Sequence, residues 1–274
     1  MSDATSFVRV ALCVEYDGSA YSGWQTQKLP AVKTIQEELE AALSQVANHP
    51  IKLICAGRTD AGVHGSGQIV HFDTTSDRPE KAWVRGANSC LKGKICVVWA
   101  KNVSEDFHAR FSAHSRRYRY VIYNHKVRPA LMQGLVTHHY YDLDVERMHQ
   151  AAQHLLGKHD FSAYRGASCQ ANTPTRTMIH LNVERYGDYI IVDVKANAFL
   201  LHMVRNIVGV LLEIGEGRRE PEWSKTLLEL KDRSKAGVTS LPHGLYLVAV
   251  GYPEEFNLPQ VNPGPAFLRP FISA

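Results

Sequence analysis

The order of hydrophobic patterns along the chain predicts an α+β protein made of two tandem ferredoxin-like (β-α-β-β-α-β) units with mainly antiparallel sheets. Three observations carry that expectation. Strand-like alternation and helix-like apolar faces follow one another in the same order in both halves. In the second half, two alternating runs meet at Gly187-Asp188, a hairpin signal and hence one of antiparallel pairing. The chain has 274 residues and is 45% hydrophobic, enough for one large or two modest cores.

Val8, Val10, Leu12, Val14 and Tyr16 alternate with small or polar residues, which predicts a half-buried strand ending at Asp17-Gly18. Thr34-Ile-Gln-Glu37 is a capping box, in which the threonine oxygen and the glutamate satisfy each other's backbone donors. Behind it Ile35, Leu39, Ala42, Leu43 and Val46 fall on one helical face. Strands near 51–57 and 67–74, a helix near 80–91 and a strand near 95–101 complete the first unit. A boundary near 105–113 gives domains of 1–106 and 107–274.

In the second domain Arg116 to Tyr123 reads as a strand. Asp144 caps a helix carrying Val145, Met148, Ala152 and Leu155, stopped by Gly157. Thr177 to Arg185 and Tyr189 to Asn197 are the two hairpin strands. Phe199 to Ile214 reads as a long, mostly apolar helix, 221–231 as an amphipathic one, and Leu245 to Tyr252 as the last strand. No repeat at the level of residues accompanies the repeated order. Residues 157–176 stay irregular, and so long a loop in a compact domain is usually functional or mobile. The proline-rich tail from Pro253 is expected to wrap a surface or a partner subunit.

Composition narrows the function. The formal net charge of +4 permits a polyanionic partner without demanding one. The five cysteines form no C-x-x-C pair, as expected of reduced thiols in a cytosolic protein. No stretch resembles a signal peptide or reaches membrane-spanning length, so a soluble, cytoplasmic protein is expected. There is no phosphate loop, no G-x-G-x-x-G, no zinc-deaminase signature and no H-E-x-x-H. No metal and no nucleotide cofactor are expected.

Chemistry therefore has to come from ordinary side chains. AGRTDAGVHGSGQIVHF, residues 56–72, crowds Gly57, Gly62, Gly65 and Gly67 around Arg58 and Asp60. Glycine tolerates positive φ and close backbone approach but weakens regular elements, so the stretch reads as a shaped loop between strands. Asp60 could be a turn aspartate bonded to its own backbone or a working carboxylate. Arg205 sits in NAFLLHMVRNIVGVLLEIG, a helix apolar on nearly every side, where an arginine needs a carboxylate partner. In HSRRYRYVIYN, Arg116, Arg117 and Arg119 interleave with Tyr118, Tyr120 and Tyr123. That pattern suits nucleic acid, guanidinium groups on phosphates and rings on bases, or equally a strand with one charged face.

GRTDAGVH around Asp60, RRYRY around Tyr118, NAFLLHMVRNIVG around Arg205, HGLYLVAV near Leu245 and the opening EYDGSAYSGWQ together resemble the tRNA pseudouridine synthase A family (bacterial tRNA pseudouridine synthase I) over almost the whole chain. The resemblance implies the pseudouridine synthase fold and isomerisation of uridine to pseudouridine at positions 38–40 of the tRNA anticodon arm. It implies Asp60 as nucleophile paired with Arg205, and Tyr118 stacked on the target uracil. Arg58 would help displace that base, and Leu245 would line the substrate. Arg116, Arg117 and Arg119 would contact RNA, and the enzyme would be a homodimer without a cofactor. Two competing expectations are a non-catalytic RNA-binding protein of two RRM-like units, which lacks the aromatic RNP1 signature, and a glycosidase-like hydrolase, which lacks an evident second carboxylate near Asp60.

Overall fold

The computed structural model describes residues 7–27 and 32–268. The chain divides into two compact units, Met1–His114 with Leu247–Ala274, and Ser115–Tyr246. The expected boundary near 105–113 ends just short of this break, and the chain from Leu247 onward returns to the first unit instead of staying with 107–246.

The first unit holds β1 (Val8–Tyr16), α1 (Ile35–Ala47), β2 (Ile54–Cys55), β3 (His64–Thr74), α2 (Glu80–Cys90) and β4 (Ile95–Val103). β1 lies between β4 and β3, and β2 pairs with β3, all antiparallel. That is the β-α-β-β-α-β order read from the sequence. Thr34 caps α1 by accepting the Glu37 N–H, and Asn48 ends it at φ 57°. Val10, Leu12 and Val14 of β1 and Val70 and Phe72 of β3 bury one sheet face beneath Ile35, Leu39, Leu43 and Trp83.

β1 is more than half-buried, because its other face is covered too. Ala11, Cys13 and Ile69 pack with Phe107 and Ala109, and Phe256, Leu258 and Val261 of the tail close over them. The tail from Pro253 thus wraps its own unit as far as Leu268, which is itself buried; the rest of the tail lies outside the described residues. β2 is only two residues long, while β3 begins three residues before the expected start. Gly65 and Gly67 are therefore strand residues and not loop. A Cβ on Gly65 would lie 2.6 Å from the Tyr16 ring, and one on Gly67 2.2 Å from the Val248 carbonyl oxygen. Close packing, not loop freedom, demands glycine there.

The second unit holds β5 (Ser115–Asn124), β6 (Thr137–His139), α3 (Val145–Gln153), β7 (Gly157–Asp160), β8 (Thr175–Tyr186), β9 (Tyr189–Ala196), α4 (Met203–Gly215), α5 (Trp223–Leu230) and the start of β10 (Leu245–Gly251). Its strands run β5-β9-β8-β7, all antiparallel, and β6 adds to β5 in parallel. The segment 157–176 is not wholly irregular, since it contains β7 and a short 3-10 turn at Ser162–Tyr164. α3 ends at Gln153, before Leu155. α4 starts at Met203, four residues later than expected, because His202 adopts φ 60° and interrupts the apolar run from Phe199.

Candidate active site

The loop that carries Asp60 follows β2 and is fastened along its length. Ala56 donates its N–H to the Ile69 carbonyl at 2.8 Å. Gln68 Nε2 donates to the Gly57 carbonyl at 2.6 Å. The Thr59 carbonyl accepts the Trp24 N–H at 3.0 Å, and its hydroxyl lies 2.9 Å from the Tyr16 hydroxyl. The Asp60 carbonyl accepts the Val63 N–H at 3.1 Å, closing a turn in which Gly62 takes φ 77°, a conformation glycine adopts without a steric cost.

The wall behind this loop is the EYDGSAYSGWQ segment. Gly23, at φ 97°, brings its backbone so close that a Cβ would lie 2.9 Å from the Thr59 carbonyl oxygen; a Cβ on Gly18 would fall 1.9 Å from that of Val63. Gly18 also donates its N–H to His64 Nδ1 at 3.1 Å. Tyr16, Gly18, Gly23 and Trp24 are supporting residues that the chemistry-led reading of the sequence missed. Their signal lay in EYDGSAYSGWQ, which helps carry the family resemblance without pointing to a role for any one residue. Asp60 is half-buried and Arg58 exposed. Arg58 and Arg110 both act on the Cys55 thiol, which burial pushes up to about 11 against their charges.

The other predicted residues belong to the second unit. Strict alternation along β5 puts Tyr118 and Tyr120 on one face. Tyr118 is 9% exposed, and its ring meets Phe199 edge-on at 5.1 Å. Tyr120 donates to the Leu241 carbonyl at 2.7 Å, and burial pushes its phenol up to about 12. Arg205, in the first turn of α4 and half-buried, donates Nε to the Ser240 carbonyl at 2.8 Å. The segment carrying Ser240 lies tight on α4: a Cβ on Gly209 would fall 1.9 Å from the Val238 carbonyl oxygen. Leu245 opens β10 and is buried.

The opposite face of β5 departs from the expectation that all three arginines meet phosphates. Arg117 binds Asp193 through Nε and an Nη at 2.7 and 2.9 Å. Arg119 binds the same carboxylate at 2.7 Å and is 1% exposed. A guanidinium so buried is committed to its carboxylate, since separating the pair would leave two desolvated charges. Arg119 is therefore structural, and Arg117 is half engaged in the same pair. Arg116, paired across to Ala196, donates to the Asn197 carbonyl at 3.2 Å.

Among the described residues, no group of three or more His, Cys, Asp or Glu side chains is placed to hold a metal ion. None of the helices there is long and apolar enough to cross a membrane.

Two β-α-β-β-α-β patterns, a tightly backed Asp60 loop and an arginine at the head of an apolar helix define a class that comparison with known proteins makes explicit. Residues 12–112 and 151–253 match the family model of tRNA pseudouridine synthase, and the chain belongs to that family. Within it, the chain is similar to proteins named tRNA pseudouridine synthase A. It is 58% identical to that of Vibrio campbellii, covering 95% of this chain and 98% of the relative. It is 59% identical to that of Pseudoalteromonas atlantica over the same shares, and 57% identical to that of Escherichia fergusonii over 95% and 96%. Asp60, Arg58, Arg205 and Leu245 fall inside the matched ranges; Tyr118 and the three strand arginines fall between them.

Proposed function

We propose that this enzyme isomerises uridine to pseudouridine at positions 38–40 of the tRNA anticodon stem-loop, with Asp60 as its nucleophile. The observation that carries the reading is the loop at 56–63. It holds a single carboxylate, Asp60, on a backbone whose carbonyls are already bound to Trp24, Val63 and Gln68.

The reaction breaks the N1–C1′ bond of uridine, turns the uracil and joins its C5 to C1′. The C5 hydrogen leaves as a proton and N1 gains one, so substrate and product have the same atoms and no electrons are exchanged. A carboxylate that attacks covalently holds one fragment while the other turns. It must be ionised, which a neighbouring guanidinium secures; the family resemblance gives that task to Arg205. Water must be kept away, or the intermediate would hydrolyse. A stacked uridine must first leave its helix, at a cost of a few kcal/mol; the resemblance gives Arg58 a part in that step and Tyr118 the stacking face. Leu245 offers an apolar contact, and Arg116 remains the strand arginine best suited to RNA. A homodimer working in the cytoplasm without a cofactor completes the proposal, supported by the same resemblance.

The test is tritium release from unmodified tRNA labelled at uracil C5. Wild-type protein should release it, and Asp60→Asn should release none while binding tRNA with at least about wild-type affinity, because the phosphate contacts that dominate binding are untouched. Release by Asp60→Asn near the wild-type rate would remove Asp60 from the chemistry.

A further inference from the structure

Asn206 follows Arg205 in the first turn of α4 and is fully buried. A buried amide is costly unless its donors and acceptor find partners, and here they find them on two other segments. Nδ2 donates to the Tyr164 carbonyl at 2.8 Å. Oδ1 accepts the Thr239 hydroxyl at 2.6 Å and an Arg233 Nη at 3.1 Å. The same Nη donates to the Thr239 oxygen at 2.9 Å. The directions are forced. A guanidinium only donates and a carbonyl only accepts. The amide oxygen must therefore face Arg233 and the amide nitrogen Tyr164, and the Thr239 hydroxyl gives its one proton to Asn206.

The neighbouring residues are bonded in the same register. Ser240 donates its N–H to the Arg205 carbonyl at 3.2 Å, and its own carbonyl accepts Arg205 Nε at 2.8 Å. Thr239–Ser240 is thus laid along Asn206–Arg205, by side chains at one pair and by side chain and backbone at the next. One turn on, Gly209 lets the Val238 carbonyl oxygen come so close that a Cβ would fall 1.9 Å from it. A guanidinium is a planar fork of five donors. Once its Nε is tied to Ser240, the plane and the direction of both Nη groups follow from where that carbonyl stands. Moving the Ser240 carbonyl means moving Thr239, which Asn206 and Arg233 hold.

We propose that Asn206, acting through Thr239 and the Ser240 carbonyl, is a positioning residue that aims the Arg205 guanidinium. The proposal rests on the reading of Arg205 as the charge that keeps Asp60 ionised for attack. Aim matters to turnover because a displacement of about 1 Å can cost about 10²-fold in rate, whereas RNA held by its phosphates still binds. A network serving only to hold the core together would show in stability and leave turnover alone.

The test removes the Thr239 hydroxyl in the full-length protein, with an unmodified tRNA transcript as substrate. Thr239→Val keeps the shape and should lower kcat by about 10- to 100-fold, with KM and tRNA affinity unchanged. The acid limb of kcat should move to higher pH, since a misaimed guanidinium favours the ionised Asp60 less. Thr239→Ser keeps the hydroxyl and should restore both. Independently of activity, the NMR resonance of the Arg205 Nε–H, assigned by its loss in Arg205→Lys, should shift in Thr239→Val and return in Thr239→Ser. Should Thr239→Val fail to fold, Arg233→Met, at the half-buried end of the network, takes its place with the same expectations. A stationary Arg205 resonance would overturn the positioning role, as would wild-type kcat in Thr239→Val with only a lower urea midpoint. Arg205→Lys separates the readings. If it is impaired while Thr239→Val is silent, only the positioning role falls. If it turns over normally, the reading of Arg205 falls and the proposal with it. If the wild type releases no tritium, the isomerase reading falls, and the shift of the Arg205 resonance alone decides the proposal.

Discussion

Acid should destabilise the first unit through His71. Its ring is 1% exposed, accepts the Ala109 N–H at Nδ1 and packs against Phe107 and His108 at 5.9 and 4.9 Å. Burial, and then the charges of Arg9 and His108, hold its pKa down to about 4 from 6.5, against a weaker opposite pull from Asp73. The neutral ring is thus the folded form, and between those two values the unfolded chain binds one proton more than the native one. The stabilisation is complete above about pH 6.5 and is lost as the pH falls toward 4. One pKa unit is about 1.4 kcal/mol, so roughly 2 kcal/mol should be gone by pH 5. Urea unfolding followed by tryptophan fluorescence reads this directly, since Trp24 and Trp83 are buried in the same unit. His71→Asn supplies an oxygen that can still accept the Ala109 N–H but cannot titrate. The variant should start less stable at pH 7, by about 1–2 kcal/mol for the lost ring volume, yet lose about 2 kcal/mol less than wild type between pH 7 and pH 5. Equal losses in the two proteins would refute the assignment.

Other outcomes follow from the same geometry. Tyr118→Phe keeps the ring against Phe199 and removes only the hydroxyl; if that hydroxyl moves a proton, kcat should drop about 10²-fold with tRNA affinity unchanged, and normal turnover would leave it no catalytic task. Arg119→Met should cost stability, about 1–3 kcal/mol by urea unfolding, while the salt dependence of tRNA binding stays as in wild type; a slope shallower by about 0.7–0.9 would return Arg119 to the phosphate contacts. Gly23→Ala forces a Cβ toward the Thr59 carbonyl at a positive φ, which should cost about 1–3 kcal/mol. By displacing the Asp60 loop it should also lower kcat by up to about 10²-fold, and unchanged kcat would show that the loop does not lean on this wall.

How much of this the sequence shows depends on the range of the interaction. β1, the Thr34 cap, the β8–β9 hairpin and α3 announce themselves because periodicity and capping are local. β6 and β7, three and four residues long, are too short for alternation to register. The start of α4 is hidden because Phe199–Met203 is apolar but for His202, and only the left-handed backbone at that residue separates turn from helix. Asp60 is legible by its motif, but Gly65 and Gly67 look like loop residues because their packing partners, Tyr16 and Val248, lie far along the chain. Arg117 and Arg119 look basic and available for the same reason, since their neutralising Asp193 is more than seventy residues away.

The placement of those glycines bears on how the enzyme must work. Glycines beside a catalytic residue suggest a loop that moves, yet here Gly23 and Gly62 each hold one fixed positive-φ conformation, and Gly18, Gly23, Gly65 and Gly67 sit where a Cβ would strike a neighbouring backbone or ring. They let the backbone approach closely, and close approach removes freedom. The Asp60 backbone is bonded to Val63, and the residue before it to Trp24 and Tyr16. Swinging such a loop toward a substrate would break several hydrogen bonds together, each worth about 0.5–1.5 kcal/mol. A carboxylate held in this way is preorganised, and motion has to come from the other partner. The RNA must bring its base to Asp60, which is why the residues proposed to turn a base out and hold it, Arg58 and Tyr118, should bear on turnover alongside the proposed nucleophile.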